Sequence, residues 1–319
     1  MTFPKDRADA TGVTGASPLD GIETTVAATV RTLDEFREHR AMLFGVAYRM
    51  LGSIADAEDI LQDAFIRWQQ GASEEAKSPR AFLMTMVTRL CINHLESARV
   101  RREIYVGEWL PEPLLNDAEL VTSPEGIEFD ESLSMAFLVM LERLTPLERA
   151  VLLLREVFDY DYREIARILD QTQTNCRQLL RRAKQHVAER RRRFVASSGE
   201  SERLMREFIE VVSRGDLTRL VAMLSDDAVL HSDGGGKSPA LPVSIRGGAK
   251  VARALIGASR KLVPGNLTRR LARVNGHVGV VSYLQGRAYA VLNLEIDGPA
   301  ISAIFVVSNP DKLAHFLPG

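Results

Sequence analysis

The chain has 319 residues, too many for one helical bundle and enough for two or three units that each bury a core. Lys and Arg number 41 against 42 Asp and Glu, so a nucleic-acid role cannot rest on a basic chain and needs charge gathered locally. Cys91 and Cys176 lack the paired spacing of a zinc site or redox motif, no charged-then-apolar leader opens the chain, and no apolar run approaches the roughly 20 residues of a membrane span. The expectation is a cytoplasmic protein that uses no metal, cofactor or membrane.

Residues 1–30 mix Pro, Gly, Thr and Asp without apolar periodicity and read as a loose tail. Over 31–106 apolar residues recur at helical spacing, from Phe36, Leu43 and Phe44 through Ile60, Leu61 and Trp68 to Leu83, Val87 and Leu90, which predicts a helical bundle punctuated at Gly52-Ser53 and Ser78-Pro79. In "DAEDILQDAF" Asp56, Asp59, Gln62 and Asp63 form a polar face beside the apolar Ile60, Leu61 and Phe65. An acidic face with an adjacent aromatic suits a basic protein partner better than DNA. An ordinary amphipathic surface helix has the same pattern.

Residues 107–130 contain three prolines and read as an extended linker rather than a packed element. Between Glu108 and Glu131 stand eight acids and no Lys or Arg, a charge pattern able to occupy a channel built for nucleic acid. A second helical unit spans 131–195. Thr145, Pro146 and Glu148 supply an N-cap, a first-turn proline and a capping box. "DYREIARIL" then turns at Asp170-Gln171-Thr172 into a basic helix, the dimensions of a helix-turn-helix. Thr174, Asn175, Arg177, Gln178, Arg181 and Arg182 offer the small, polar and basic groups that a major-groove helix needs. Ile165, Ala166, Leu169, Cys176, Leu179 and Leu180 have the spacing to join the two helices. A solvated basic face is the plainer reading of one such helix; the tight turn and the following Arg190–Arg193 weigh against it.

From 200 to 319 two helices precede β-rich segments with turns at Asn275-Gly276 and Asp297-Gly298, an α+β domain with a curled antiparallel sheet. "DGGGKSP" lacks the spacing and following helix of a P-loop. It reads as a flexible hairpin, as a catalytic turn with His231 or Asp233 as base, or as a joint where another backbone comes close.

Residues 141–187 resemble the promoter −35 binding region of extracytoplasmic-function sigma factors of bacterial RNA polymerase. "SIADAEDILQDAFIRWQQ" resembles that family's core-polymerase-binding helix, and "SPRAFLMTMVTRLCINHLESARVRRE" its −10 region. The resemblance implies a multidomain chain: two all-α sigma domains, a bundle (31–106) and a helix-turn-helix (131–195), joined by the linker 107–130. It implies a transcription initiation factor, not an enzyme, whose partners are promoter DNA and the β′ clamp and β subunits of core polymerase. The core contact falls on Asp56, Asp59, Gln62, Asp63 and Phe65. The −10 contact falls on Arg80, Phe82, Arg89, Asn93, Arg99 and Arg101, with Arg102 a further candidate; many relatives carry Asn at the position of Arg89, and Phe82 equally suits the core.

The final segment resembles SnoaL-like cone domains, whose pocket holds a small ligand in some relatives and serves catalysis in others. "WLPEP", "DGGGK" and "NPDKL" look like signatures of the sigma-factor subgroup with such a domain fused. They imply an interdomain regulatory contact of Trp109, Leu110 and Pro111 with Asp233, Gly234, Gly235, Gly236, Lys237, Asn309, Pro310 and Asp311. The alternative is a DNA-bound sensor or enzyme that uses the cone pocket.

Overall fold

A computed structural model of the chain describes residues 18–72, 78–102, 105–116, 131–188 and 198–316. The first unit is three helices, α1 (Pro18–Leu51), α2 (Ile54–Arg67) and α3 (Pro79–Arg102), with a π-helical turn at Trp68–Ala72. Gly52 ends α1 at a positive φ, and Ser53 caps α2 by accepting from the amide of Asp56. Trp68 is fully buried, its indole N–H donating to the Thr32 carbonyl at 3.0 Å. The tail expected over 1–30 is not a tail throughout: the backbone is helical from Pro18. Once a helix is nucleated, extending it fixes one residue per hydrogen bond, so a segment with weak periodicity of its own can still be helical. Residues 1–17 lie outside the described residues.

The second unit has α4 (Met135–Leu141), α5 (Pro146–Glu156), α6 (Tyr162–Leu169) and α7 (Gln173–Ala188). The expected capping box of Thr145 with Glu148 forms, and a second, Asp161 with Glu164, starts α6. Asp170 closes α6 in the left-handed region, and Thr172 accepts from the Asn175 amide to start α7, which completes the helix-turn-helix. Ile165, Leu169, Cys176, Leu179 and Leu180 are buried between those helices. The cores of the two units are continuous, so Leu43, Leu51 and Leu83 share one apolar cluster with Leu152, Ile165 and Leu179.

The C-terminal unit begins with α8 (Ser198–Arg214) and α9 (Leu217–Met223), and α10 (Gly248–Lys261) follows the second strand. Its strands are β1 (Leu224–Asp233), β2 (Ile245–Arg246), β3 (Thr268–Val274), β4 (His277–Leu284), β5 (Arg287–Asp297) and β6 (Ala300–Val307), in the order β2-β1-β6-β5-β4-β3. One pairing, β1 with β6, is parallel, so the sheet is mixed rather than wholly antiparallel. The reason is topological: the last strand of the β3–β6 meander returns beside β1, and α10 with four strands intervenes. Asn275-Gly276 forms a hairpin turn with both residues at positive φ, and Gln285-Gly286 forms another. Met205, Phe208, Leu220, Leu255 and Ile256 from the helices fill the concave face against Leu230, Val280, Leu294 and Ile304.

Residues 110–114 of the linker are extended but buried, correcting the expectation that they would not pack. Leu110 joins Met135 of α4 and Val281, Phe305 and Leu313 of the C-terminal unit in a third apolar cluster, on the sheet face opposite the concave one.

Candidate DNA-binding faces and the interdomain joint

The joint is built around Asp233, the last residue of β1, which is fully buried. One carboxylate oxygen accepts from the Tyr105 hydroxyl at 2.5 Å and the Gly235 amide at 3.0 Å. The other accepts from the Leu110 amide at 2.9 Å and the Lys312 ammonium at 2.7 Å. Lys312 also donates to the Leu110 carbonyl and lies 4.0 Å from the Trp109 ring centroid and 5.3 Å from that of Tyr105. The ammonium is therefore surrounded by a carboxylate, a carbonyl and two aromatic faces, the kind of environment in which a buried cation is tolerated. Burial and the neighbouring Asp233 carboxylate push the Tyr105 hydroxyl well above its usual range, which keeps it a proton donor.

The glycine loop permits this approach. Gly235 has φ +59°, and a Cβ there would stand 2.4 Å from the amide nitrogen of Asn309. A Cβ on Gly236, at φ +70°, would meet Val106 at 3.1 Å, and one on Gly234 would strike the Ser238 carbonyl. Asn309 donates to the Tyr105 hydroxyl at 2.9 Å, and Lys237 pairs with Asp311 at 2.5 Å in solvent. Pro310 opens a short 3-10 helix, Pro310–Leu313.

The linker's other side meets α1 and α2. Trp109 lies against Gly52, where a Cβ would be 2.7 Å from its ring, and Pro111 lies at 3.5 Å from the same point. The Glu112 amide donates to the Gly52 carbonyl at 2.8 Å, and the Glu112 carboxylate accepts from the Ile54 amide at 2.8 Å. Tyr48 donates to the Glu112 carbonyl at 2.6 Å and accepts from Asn275 at 2.7 Å, so a helix of the first unit, the linker and a hairpin of the last unit share one chain of hydrogen bonds.

Sequence reasoning missed several of these groups. Lys312 stands inside the quoted "NPDKL" yet carries no local sign of burial. Glu108 and His231, 2.6 Å apart, form a pair that only the fold brings together. His231 stacks on Phe305 of the convex cluster, and Asp233 lies on the same side of β1, whereas Ala228 and Leu230 face the concave core. The placement expected for a catalytic His231 or Asp233, at the mouth of the pocket, is thus overturned: β-strand alternation points both at the linker.

On α7, Thr174, Arg177, Gln178, Arg181 and Arg182 are exposed, and Asn175 is partly exposed and bonds Gln171. The Arg177 guanidinium lies 4.8 Å from the Tyr162 ring centroid. On α2, Asp59, Gln62 and Asp63 face solvent. Phe65 instead packs on Phe36, ring centroids 5.0 Å apart, and the exposed apolar residue of that face is Ile66. Positions 59, 62, 63 and 66 fall on one helical stripe, a spacing that identifies Ile66 from sequence.

The −10 candidates are differently placed. Phe82 packs at the edge of the core with Trp68 at 5.9 Å, and Asn93 is exposed. Arg89 reaches across to the second unit, donating to the Ile168 carbonyl at 2.8 Å and to that of Arg167 at 3.2 Å. Arg80 is exposed, near enough to Tyr160 for its charge to act on that hydroxyl. Arg99, Arg101 and Arg102 lie on α3, their side chains outside the described residues, as are the acids from Asp117 to Asp130 and Arg190–Arg193. The two helical units are further tied by Arg149, which donates to the Met50 carbonyl, and by Arg49, which donates to Ser132 at 2.7 Å.

Residues 35–101 match the Sigma-70 region 2 family and residues 134–187 the Sigma-70 region 4 family. The ECF RNA polymerase sigma factor SigJ of Mycobacterium tuberculosis is 32% identical over 88% of this chain and 92% of its own length. The chain belongs to the extracytoplasmic-function sigma factors. A second relative from that organism, the probable ECF sigma factor SigI, is 31% identical over 87% of this chain and 93% of its own. The crystal structure of M. tuberculosis SigJ superposes with a TM-score of 0.72, at 31% identity, over 88% of this chain and 98% of that one. Extracytoplasmic-function sigma factors direct transcription initiation by binding core RNA polymerase and promoter DNA, and here the two sigma regions are followed by a C-terminal α+β unit. No helix among the described residues is long and apolar enough to cross a membrane.

Proposed function

We propose that this sigma factor is held closed by its own C-terminal domain, which grips the linker and keeps regions 2 and 4 packed on each other. In this reading residues 31–106 bind the β′ clamp and the −10 element, 131–195 bind the −35 element and the β subunit, and 200–319 replace a separate inhibitor by tethering. It acts in the cytoplasm, and no covalent chemistry is assigned to it. A tether raises effective concentration, so a modest interface can hold the closed form.

The observation that carries the reading is the Arg89 bridge. Arg89 bonds the Ile168 carbonyl, and Ile168 stands nine residues before Arg177, so Arg89 and Arg177, one candidate from each set, are at most ~40 Å apart even with that segment fully stretched. Elements about 25 base pairs apart on B-DNA are separated by about 85 Å. The closed arrangement therefore cannot engage both, and one −10 candidate, Arg89, is held by region 4. The sensor or enzyme reading is weaker because His231 and Asp233 are committed to the linker.

A run-off assay with core polymerase and a promoter template tests this. Full-length protein supports initiation, and Asp233→Asn raises the initial rate several-fold at limiting polymerase. An unchanged rate contradicts control by the joint; absence of run-off with every variant contradicts the assignment of regions 2 and 4 to this promoter.

A further inference from the structure

We propose that the basic half of the C-terminal domain is a third DNA-contacting surface, which grips phosphates of duplex promoter DNA without reading bases. This rests on the function proposed above.

From Gly234 to Leu294 the chain has ten Lys or Arg and no Asp or Glu. At the chain-wide frequency of 42 acids in 319 residues, those 61 positions would hold about eight, so the depletion is not a matter of ordinary composition. The fold gathers part of this charge at one corner. Thr268 pairs with Tyr283 and Leu284 with Arg287, which sets Arg269 and Arg270 of β3 beside the turn that carries Arg287. Tyr289 donates to the Leu262 carbonyl at 3.1 Å and ties the end of α10, with Lys261, to the same corner.

Lys261, Arg269, Arg270 and Arg287 are exposed and form no ion pair with any described residue. Three arginines of α8 and α9 behave differently: Arg206 pairs with Glu202, Arg214 with Glu210 and Arg219 with Glu207. Those three cations are neutralised within that pair of helices, whereas the four at this corner are left to solvent.

Charged residues on an edge strand also discourage strand-to-strand aggregation, which accounts for Arg269 and Arg270. It does not account for Lys261 and Arg287 on other elements, nor for the missing acids. An acidic protein surface would call for an apolar or aromatic anchor among the charges, and the exposed apolar side chain at this corner is Leu262 alone among the described residues. Phosphate needs only cations and donors. β3 supplies both: it is the sheet edge, and among the described residues its outer side is taken up only near its end, where Leu115 bridges to Val274. The domain docks on the linker between the two promoter-reading units, so the duplex between their elements is the nearest DNA.

The test uses holoenzyme made from core polymerase and the full chain, wild type against a K261Q/R269Q/R270Q/R287Q variant, with promoter-DNA affinity measured from 50 to 200 mM salt. The variant is expected to bind about tenfold more weakly and to lose about 2–4 from the slope of log K against log [salt], equally on templates with altered spacer sequence. Lys replacing the three arginines is expected to keep the slope, which separates charge from fold. An unchanged slope overturns the proposal. A variant that loses affinity for core polymerase without DNA also overturns it, because the surface then serves a protein. Wild-type holoenzyme that forms and initiates normally while the variant shows no change sinks this inference alone; failure of the wild type to assemble sinks both.

Discussion

Asp233 is the residue on which the joint turns, because four donors from four places in the chain converge on one carboxylate without solvent. Asp233→Asn leaves the Lys312 ammonium buried without its counter-charge, a change that costs about 3–5 kcal/mol in comparable sites. Denaturant unfolding should report that loss, with faster proteolysis of the linker. Adding Lys312→Met removes the stranded charge, so the double variant should be more stable than Asp233→Asn alone, and a double-mutant cycle measures the coupling. Gly235→Ala is expected to cost about 1–3 kcal/mol, since it forces a side chain into a left-handed backbone and against Asn309. If Gly235→Ala unfolds at the wild-type midpoint, the close approach of loop and NPDKL turn is not what holds them.

At the scale of elements, the helix-turn-helix is legible from sequence because everything that defines it is local. Thr145, Pro146 and Glu148 announce a helix start, and the apolar spacing of Ile165, Leu169, Cys176 and Leu180 specifies how α6 meets α7. Functional division between α7 and α2 should follow. Arg177→Ala, Gln178→Ala or Arg181→Ala should each weaken −35 duplex binding by about 1–3 kcal/mol and leave core-polymerase affinity unchanged. Asp59→Arg or Asp63→Arg should do the reverse, measured by titration with core polymerase and with DNA separately. What sequence could not supply is non-local. Nothing near Arg89 says that it bonds the end of α6 rather than a base, and nothing near Glu108 names His231 as its partner. The β-alternation of "AVLHSD" was readable, but which face meets the linker depends on β6 lying beside β1.

For the whole molecule, the account is one of two arrangements. In the closed one, an apolar core runs through regions 2 and 4 and the linker is clamped between region 2 and the C-terminal unit. In the open one, the two regions stand far enough apart to read both promoter elements. The most direct measurement is the distance between labels on introduced cysteines at Ser97 of α3 and Gln185 of α7, both exposed, while the native Cys91 and Cys176 are buried. The free chain should give one short distance, Asp233→Asn a mixture with longer ones, and holoenzyme on promoter DNA a long distance near the span of the two elements. A free chain already as extended as the promoter complex, or a distance that stays short on the promoter, would contradict the account.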